Sequence, residues 1–220
     1  MNTYYDNDKK VDIVTYKIYD SYKDALCLTH AELGAAKAIT HCASSGNLDE
    51  TIVRPPQGTM DIDIDNCQLE KISVIKKRPH KTRKGYWDIT IGFTFKYLLS
   101  FFDINGCTIC TVWASSAFVK KMTLYGGKDS STWLFADICD TLMPSHPILR
   151  VQAKWDVHDA KIHHGPIDDC IDEVHVTIGL YTIVNLMRPT VLKITENHFC
   201  ATKECEVAPD YCTEFALQPF

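Results

Sequence analysis

The strongest constraint on this chain is an alternation of apolar and polar residues that occurs twice. In "GYWDITIGFTFKYLLSF" (residues 85–101), Trp87, Ile89, Ile91, Phe93, Phe95 and Tyr97 fall on one face. Asp88, Thr90, Gly92, Thr94 and Lys96 fall on the other. A period of two belongs to a half-buried β-strand. The middle of this stretch returns in "DEVHVTIGLYTIVNLM", where Val174, Val176, Ile178 and Leu180 take the apolar face. Ile89–Phe93, "ITIGF", thus aligns with Val176–Leu180, "VTIGL". Each copy follows another strand-like segment and a histidine-bearing turn, with His80 in the first and His163 and His164 in the second. The pattern predicts two related strand pairs. Gly92 and Gly179 take equivalent outward positions, where a missing side chain lets a backbone or a bulky ring approach closely.

Alternation dominates from about residue 58 onward. "GTMDIDIDN" sets Met60, Ile62 and Ile64 against Asp61, Asp63 and Asp65, and "CTICTVWASSAFVKK" is rich in β-branched and aromatic residues. "ILRVQAKWDVHD" turns Leu149, Val151, Ala153, Trp155 and Val157 inward. "DING", "YGGKDSS" and "HHGPIDD" supply the turns. Long antiparallel strands with one apolar face must pack sheet on sheet. The predicted fold is therefore mainly β, an antiparallel β-sandwich or jelly-roll-like body with one N-terminal helix and terminal arms. The helix rests on capping-box spacing between Thr29 and Glu32 and on a stripe of Leu28, Ala31, Ala35, Ile39 and Cys42 ending near Gly46. Three regions follow: an N-terminal arm with the helix (1–57), a β-sandwich of two related halves (58–202) and a docking tail (203–220). The tail ends in Phe215, Leu217 and Phe220, apolar residues that water would penalise in a free segment. Tyr4 and Tyr5 in the arm need a partner surface for the same reason.

A chain of 220 residues suits one large domain or two small ones. Its net charge of −5 argues against a nucleic-acid partner. The one basic run, "KKRPHKTRK" (residues 76–84), sits between strand-like segments and predicts a solvated hairpin end. No apolar run approaches the roughly 18 residues of a membrane-spanning helix, so no membrane insertion is expected. "MNTYYDNDKK" lacks the basic-then-apolar design of a secretory signal, which predicts synthesis in a cytoplasm. The 10 cysteines are many for a reducing compartment. They allow three readings: buried thiols, metal ligands, or thiols that oxidise when the compartment changes.

No recognised catalytic or nucleotide-binding motif is present. "DIDID" begins like a calcium loop, but the positions that require Gly and Glu hold Asn66 and Ile72. Cys107 and Cys110 form a lone CxxC in a β pattern, where an offset of three points the thiols to opposite faces. His158, His163, His164 and Cys170 cluster in sequence beside Asp168 and Asp169. On an extended strand His158 and His164 stand about 20 Å apart, too far for one metal. The residues therefore predict no catalytic group, no metal and no cofactor.

"PILRVQAKWDVHDAKI", "DEVHVTIGLYTIVNLMRP" and "KTRKGYWDITIGFTFKYLL" resemble β-rich structural proteins of the bacterial endospore surface, among them coat, exosporium and appendage subunits. The resemblance covers roughly residues 60–195 and rests on strand phrasing. It implies a non-enzymatic, self-assembling subunit, made in the mother-cell cytoplasm and assembled on the spore surface with itself and with other surface proteins. It also implies cross-linking, which reconciles abundant cysteine with cytoplasmic synthesis. The cysteines of the terminal regions, Cys27, Cys42, Cys200, Cys205 and Cys212, are the cross-link candidates. Tyr4, Tyr5, Phe215, Leu217 and Phe220 are the assembly candidates. Two other classes compete: a sandwich-type binding module for carbohydrate or a surface ligand, which needs an exposed aromatic platform, and a metal-dependent enzyme built around His163 and His164.

Overall fold

The computed structural model describes residues 10–40, 49–127, 135–136, 142–143, 146–164 and 172–195. The chain is mainly β and its sheets are antiparallel. In chain order the elements are β1 (Lys10–Leu28), α1 (His30–Leu33), β2 (Lys37–Thr40), β3 (Asp49–Ile52), β4 (Asp61–Pro79) and β5 (Tyr86–Phe102). They continue with β6 (Thr108–Tyr125), β7 (Phe135–Ala136), β8 (Leu142–Met143), β9 (Ile148–His163) and β10 (Glu173–Thr195). One sheet has the order β3-β2-β6-β5-β4, a second β1-β10-β9, and β7 pairs with β8. The chain divides into two compact units, residues 17–188 and residues 1–16 with 189–220.

In the larger unit the period-two pattern becomes a core. From Trp87 to Phe101 every odd-numbered residue of β5 is at most 2% exposed, and Val174, Val176, Ile178, Leu180, Val184 and Leu186 of β10 match it. They form one cluster, against which Leu149, Val151, Ala153, Trp155 and Val157 of β9 pack half-buried. These are the faces the alternation assigned. β9 lies against β4, with Trp155 Nε1 donating to the Cys67 carbonyl at 3.4 Å. Tyr97 carries a polar atom into the core, and its hydroxyl is satisfied by Ser116 Oγ at 2.7 Å. Burial pushes that phenol up to about 12.

The predicted N-terminal helix is not formed. Residues 10–28 are extended, Leu28 closes β1 in the core, and Ile39 lies in β2. Cys42 is outside the described residues. The capping box is present: Thr29 N and Oγ1 both donate to Glu32 Oε2, and Ala31 N donates back to Thr29 Oγ1. It caps a single turn, because Gly34 takes φ 69° and ends the helix at Leu33. Upstream, "VDIVTYKIY" is β-branched and aromatic, and a neighbouring strand satisfies its backbone better than a lone helix would.

The internal repeat is a repeat of register. In the first hairpin His80 N donates to the Tyr86 carbonyl and Tyr86 N to the Arg83 carbonyl, Asp88 pairs with Arg78 and Thr90 with Lys76. The pairing then skips Ile75 and resumes at Ile91–Val74. In the second, Glu173 pairs with His163, His175 with Lys161 and Thr177 with Asp159. Here it skips His158 and resumes at Ile178–Val157. Both hairpins therefore carry a β-bulge opposite the same Thr-Ile step. The bulged residue leans over the following glycine in each. A Cβ on Gly92 would meet Ile75 Cδ1 at 3.1 Å and Ser73 Oγ at 2.9 Å, and one on Gly179 would meet His158 Nε2 at 2.6 Å. Glycine is favoured at both places because the extra residue of the neighbouring strand, joined at Gly92 by Ser73, occupies the space a side chain would take.

Candidate functional site

On β10 the residues that alternate with the buried valines point away from the core, and two of them are Glu173 and His175. His163, the last residue of β9, pairs directly with Glu173 and so shares its face. His30 reaches the same place from α1. Its turn is fixed by the Thr29–Glu32 box, by Gly34 N donating to the His30 carbonyl at 2.8 Å, and by Ala36 N donating to the Val174 carbonyl at 2.9 Å. The consecutive strands β9 and β10 and the distant α1 thus each deliver one imidazole to one corner.

The rings of His30 and His175 stack with centroids 3.6 Å apart, and those of His163 and His175 at 4.7 Å. A ligand atom from each of His30, Glu173 and His175 lies within 4.8 Å of the other two. His175 Nε2 is buried and has no hydrogen-bond partner. Glu173 Oε2 stands 3.6 Å from it, beyond hydrogen-bond reach. Burial, and then the neighbouring His30 and His163, hold the His175 imidazole below its ordinary range. Lys161, directly opposite His175, turns its ammonium to Asp159.

The other predicted site residues are dispersed. His164 hydrogen-bonds Asp172 at 3.0 Å on the surface, and His158 is the bulged residue over Gly179. Cys170, Asp168 and Asp169 lie outside the described residues, as do Tyr4, Tyr5, Cys42, Cys200, Cys205, Cys212, Phe215, Leu217 and Phe220. Among the described residues Cys27 and Cys107 are exposed free thiols, and Cys67 and Cys110 are half-buried ones. Burial, with the charge of Asp156 second, raises Cys67 to about 11. Two of the "DIDID" carboxylates serve the neighbouring backbone: Asp61 accepts from Ile62 N and Asp63 from Ile64 N.

Exposed apolar side chains also occur along β1, whose residues up to Tyr16 belong to the smaller unit and the rest to the larger. On β1, Ile13, Val14, Tyr16, Ile18 and Tyr19 are 37–67% exposed, and the strand's period places them on both of its faces. β1 is an outer strand of its sheet. β4, an outer strand of the larger sheet, is interrupted by three register shifts and carries Lys76, Lys77 and Arg78 just before its last residue, Pro79.

His30, Glu173 and His175 were not singled out in the sequence. Their one local signal is that Glu173 and His175 alternate on a single outward face, and only the fold adds His30. No protein-family model, curated protein or solved structure matches the chain. Among the described residues no helix is long and apolar enough to cross a membrane.

Proposed function

We propose that the protein is a non-enzymatic, self-assembling structural subunit of the spore-surface type. In this reading the two larger sheets form a sandwich, and disulfides lock the assembly after it forms. Support for the sandwich comes from the apolar faces of β5 and β10, which bury into one cluster.

The observation that carries the assembly reading is β1. A strand with apolar side chains exposed on both faces needs cover on both, at about 1.5–3 kcal/mol for each large side chain fully buried. An outer strand also offers backbone groups that pair readily with another chain. β4 also exposes Ile72, Val74 and Ile75, but its bulges and consecutive cations oppose such pairing, and β1 presents Ile13, Val14, Tyr16 and Ile18. The occupant is a second copy of the chain, joined through β1, with exposed Cys27 on the same strand available for cross-linking.

Sedimentation velocity and negative-stain microscopy across a concentration series, with and without reductant, test this. The intact protein is expected to form ordered assemblies. A Val14→Lys/Ile18→Lys variant should remain dispersed with an unchanged far-ultraviolet spectrum. Deletion of residues 203–220 should likewise abolish order while leaving the β-body folded. A wild-type protein that stays monomeric at high concentration under oxidising conditions would overturn the reading, as would a double-lysine variant that assembles normally.

A further inference from the structure

The histidine corner has a chemistry that assembly does not use. We propose that His30, Glu173 and His175 form a binding site for a divalent transition-metal ion of the zinc class, which clamps the β1–α1 corner to β10.

The first ground is convergence. Ligand atoms of two imidazoles and one carboxylate lie within 4.8 Å of one another, supplied by segments that only the fold brings together. Tetrahedral zinc with bonds of about 2.0–2.1 Å spaces its donors roughly 3.3–3.4 Å apart. Closing the cluster on an ion requires the donors to draw together to that spacing and the stacked rings of His30 and His175 to turn so that both lone pairs aim at one point.

The second ground is independent of the first. His175 Nε2 is buried without a hydrogen-bond partner and faces a carboxylate oxygen that stands too far away to bond it. Buried polar atoms are normally satisfied, and an orphan of this kind calls for an explanation such as an ion. Zinc would satisfy Nε2 and Glu173 together. Two nitrogens and one oxygen favour zinc and its neighbours over calcium or magnesium, which take oxygen ligands. Water would fill the remaining position, and His163 stacks on His175 at 4.7 Å.

The inference is independent of the assembly reading, and its test uses dilute full-length protein in reductant. Zn²⁺ is titrated against a chromophoric chelator, and Co²⁺ is added in parallel to read the donor type from its spectrum. The expected result is one equivalent of tightly bound zinc and a cobalt spectrum without thiolate charge transfer. Binding should also raise the melting temperature. His30→Ala, His175→Ala and Glu173→Gln should each weaken binding by about 100-fold or more, since changing even the groups that orient a ligand costs about 10–100-fold. His164→Ala should bind like wild type, and circular dichroism of each variant confirms folding. Because His30 lies on an exposed turn, its variant is informative even if His175→Ala fails to fold. No stoichiometric binding would overturn the proposal. Wild-type affinity in His30→Ala, or thiolate bands in the cobalt spectrum, would do the same.

Discussion

Replacing Gly179 by alanine tests the repeated bulge, because its effect should change sign with the residue at position 158. Gly179 has no left-handed backbone requirement, so alanine alone would be favourable there. It would restrict the unfolded chain and contribute about 0.4–1 kcal/mol. Against that gain, the new Cβ would stand 2.6 Å from His158 Nε2, closer than real contacts allow, and the ring must swing out of its place. Overpacking of this kind costs about 1–3 kcal/mol. In the wild-type background the balance is a net loss of roughly 1 kcal/mol. In a His158→Ala background the obstacle is gone, and the same substitution should stabilise by about 0.4–1 kcal/mol. Urea unfolding in reductant measures all four corners of the cycle through fluorescence, with Trp87 and Trp155 packed in or against the core as reporters. Midpoints compared at a common slope avoid most of the extrapolation error. The expected coupling is about 1–3 kcal/mol, well above the roughly 0.5 kcal/mol scatter of independent sites. If Gly179→Ala has the same effect in both backgrounds within that scatter, the bulged histidine is not the reason for the glycine. At Gly92 the matching rescue by Ile75→Ala should be only partial, because Ser73 Oγ remains at 2.9 Å.

Ile91→Ala and Ile178→Ala, each at a fully buried position, should each cost about 2–5 kcal/mol in the same unfolding assay, and losses below about 1 kcal/mol would refute their place in a shared core. In metal-free protein the His175 imidazole takes its proton at lower pH when folded than when unfolded, where the value is about 6.5. Its contribution is therefore fully present above that pH and is lost as pH falls below it. Unfolding free energy measured from pH 8 to 5 should fall less steeply in His175→Gln than in wild type, and parallel curves would refute this. Alkylation of native protein near pH 8, read by mass spectrometry, should label exposed Cys27 and Cys107 well before Cys67, whose thiol is raised to about 11. Early labelling of Cys67 would contradict its burial against β9.

The strands were legible because one face of each is dry. In β5 a single slip would expose Ile89, Ile91 and Phe93 together, so the alternation fixes both the element and its inward face. The N-terminal region misled for an equally physical reason. A capping box states where a helical turn begins and says little about how long it runs, and Gly34 ended it after one turn. The metal-ligand cluster was illegible because its donors come from α1 and β10, and no local spacing links His30 to His175. The sequence neighbours His158, His163 and His164 looked like the group to weigh. An extended β9 separates His158 from the other two, and the corner recruits only His163.

The repeat shows how such a corner can arise on a scaffold that does not need it. Register equates His80 with His163, Asp88 with His175 and Tyr86 with Glu173. In the first hairpin His80 Nε2 stands 3.9 Å from Asp88 Oδ1, and Arg78 reaches the same carboxylate at 3.7 Å. A half-exposed arginine and a histidine around one aspartate form an ordinary surface ion pair, worth at most about 1 kcal/mol. In the second hairpin histidine occupies the aspartate's position and glutamate the tyrosine's, so a carboxylate and two imidazoles meet where the first has one of each. The bulge sets both corners alike, since it fixes the strand phase from the Thr-Ile step to the turn. The further difference is His30. Among the described residues the metal-ligand geometry occurs only where α1 closes over the hairpin end. The single turn that replaced the expected helix is therefore the element that converts a repeated surface pair into a three-donor site.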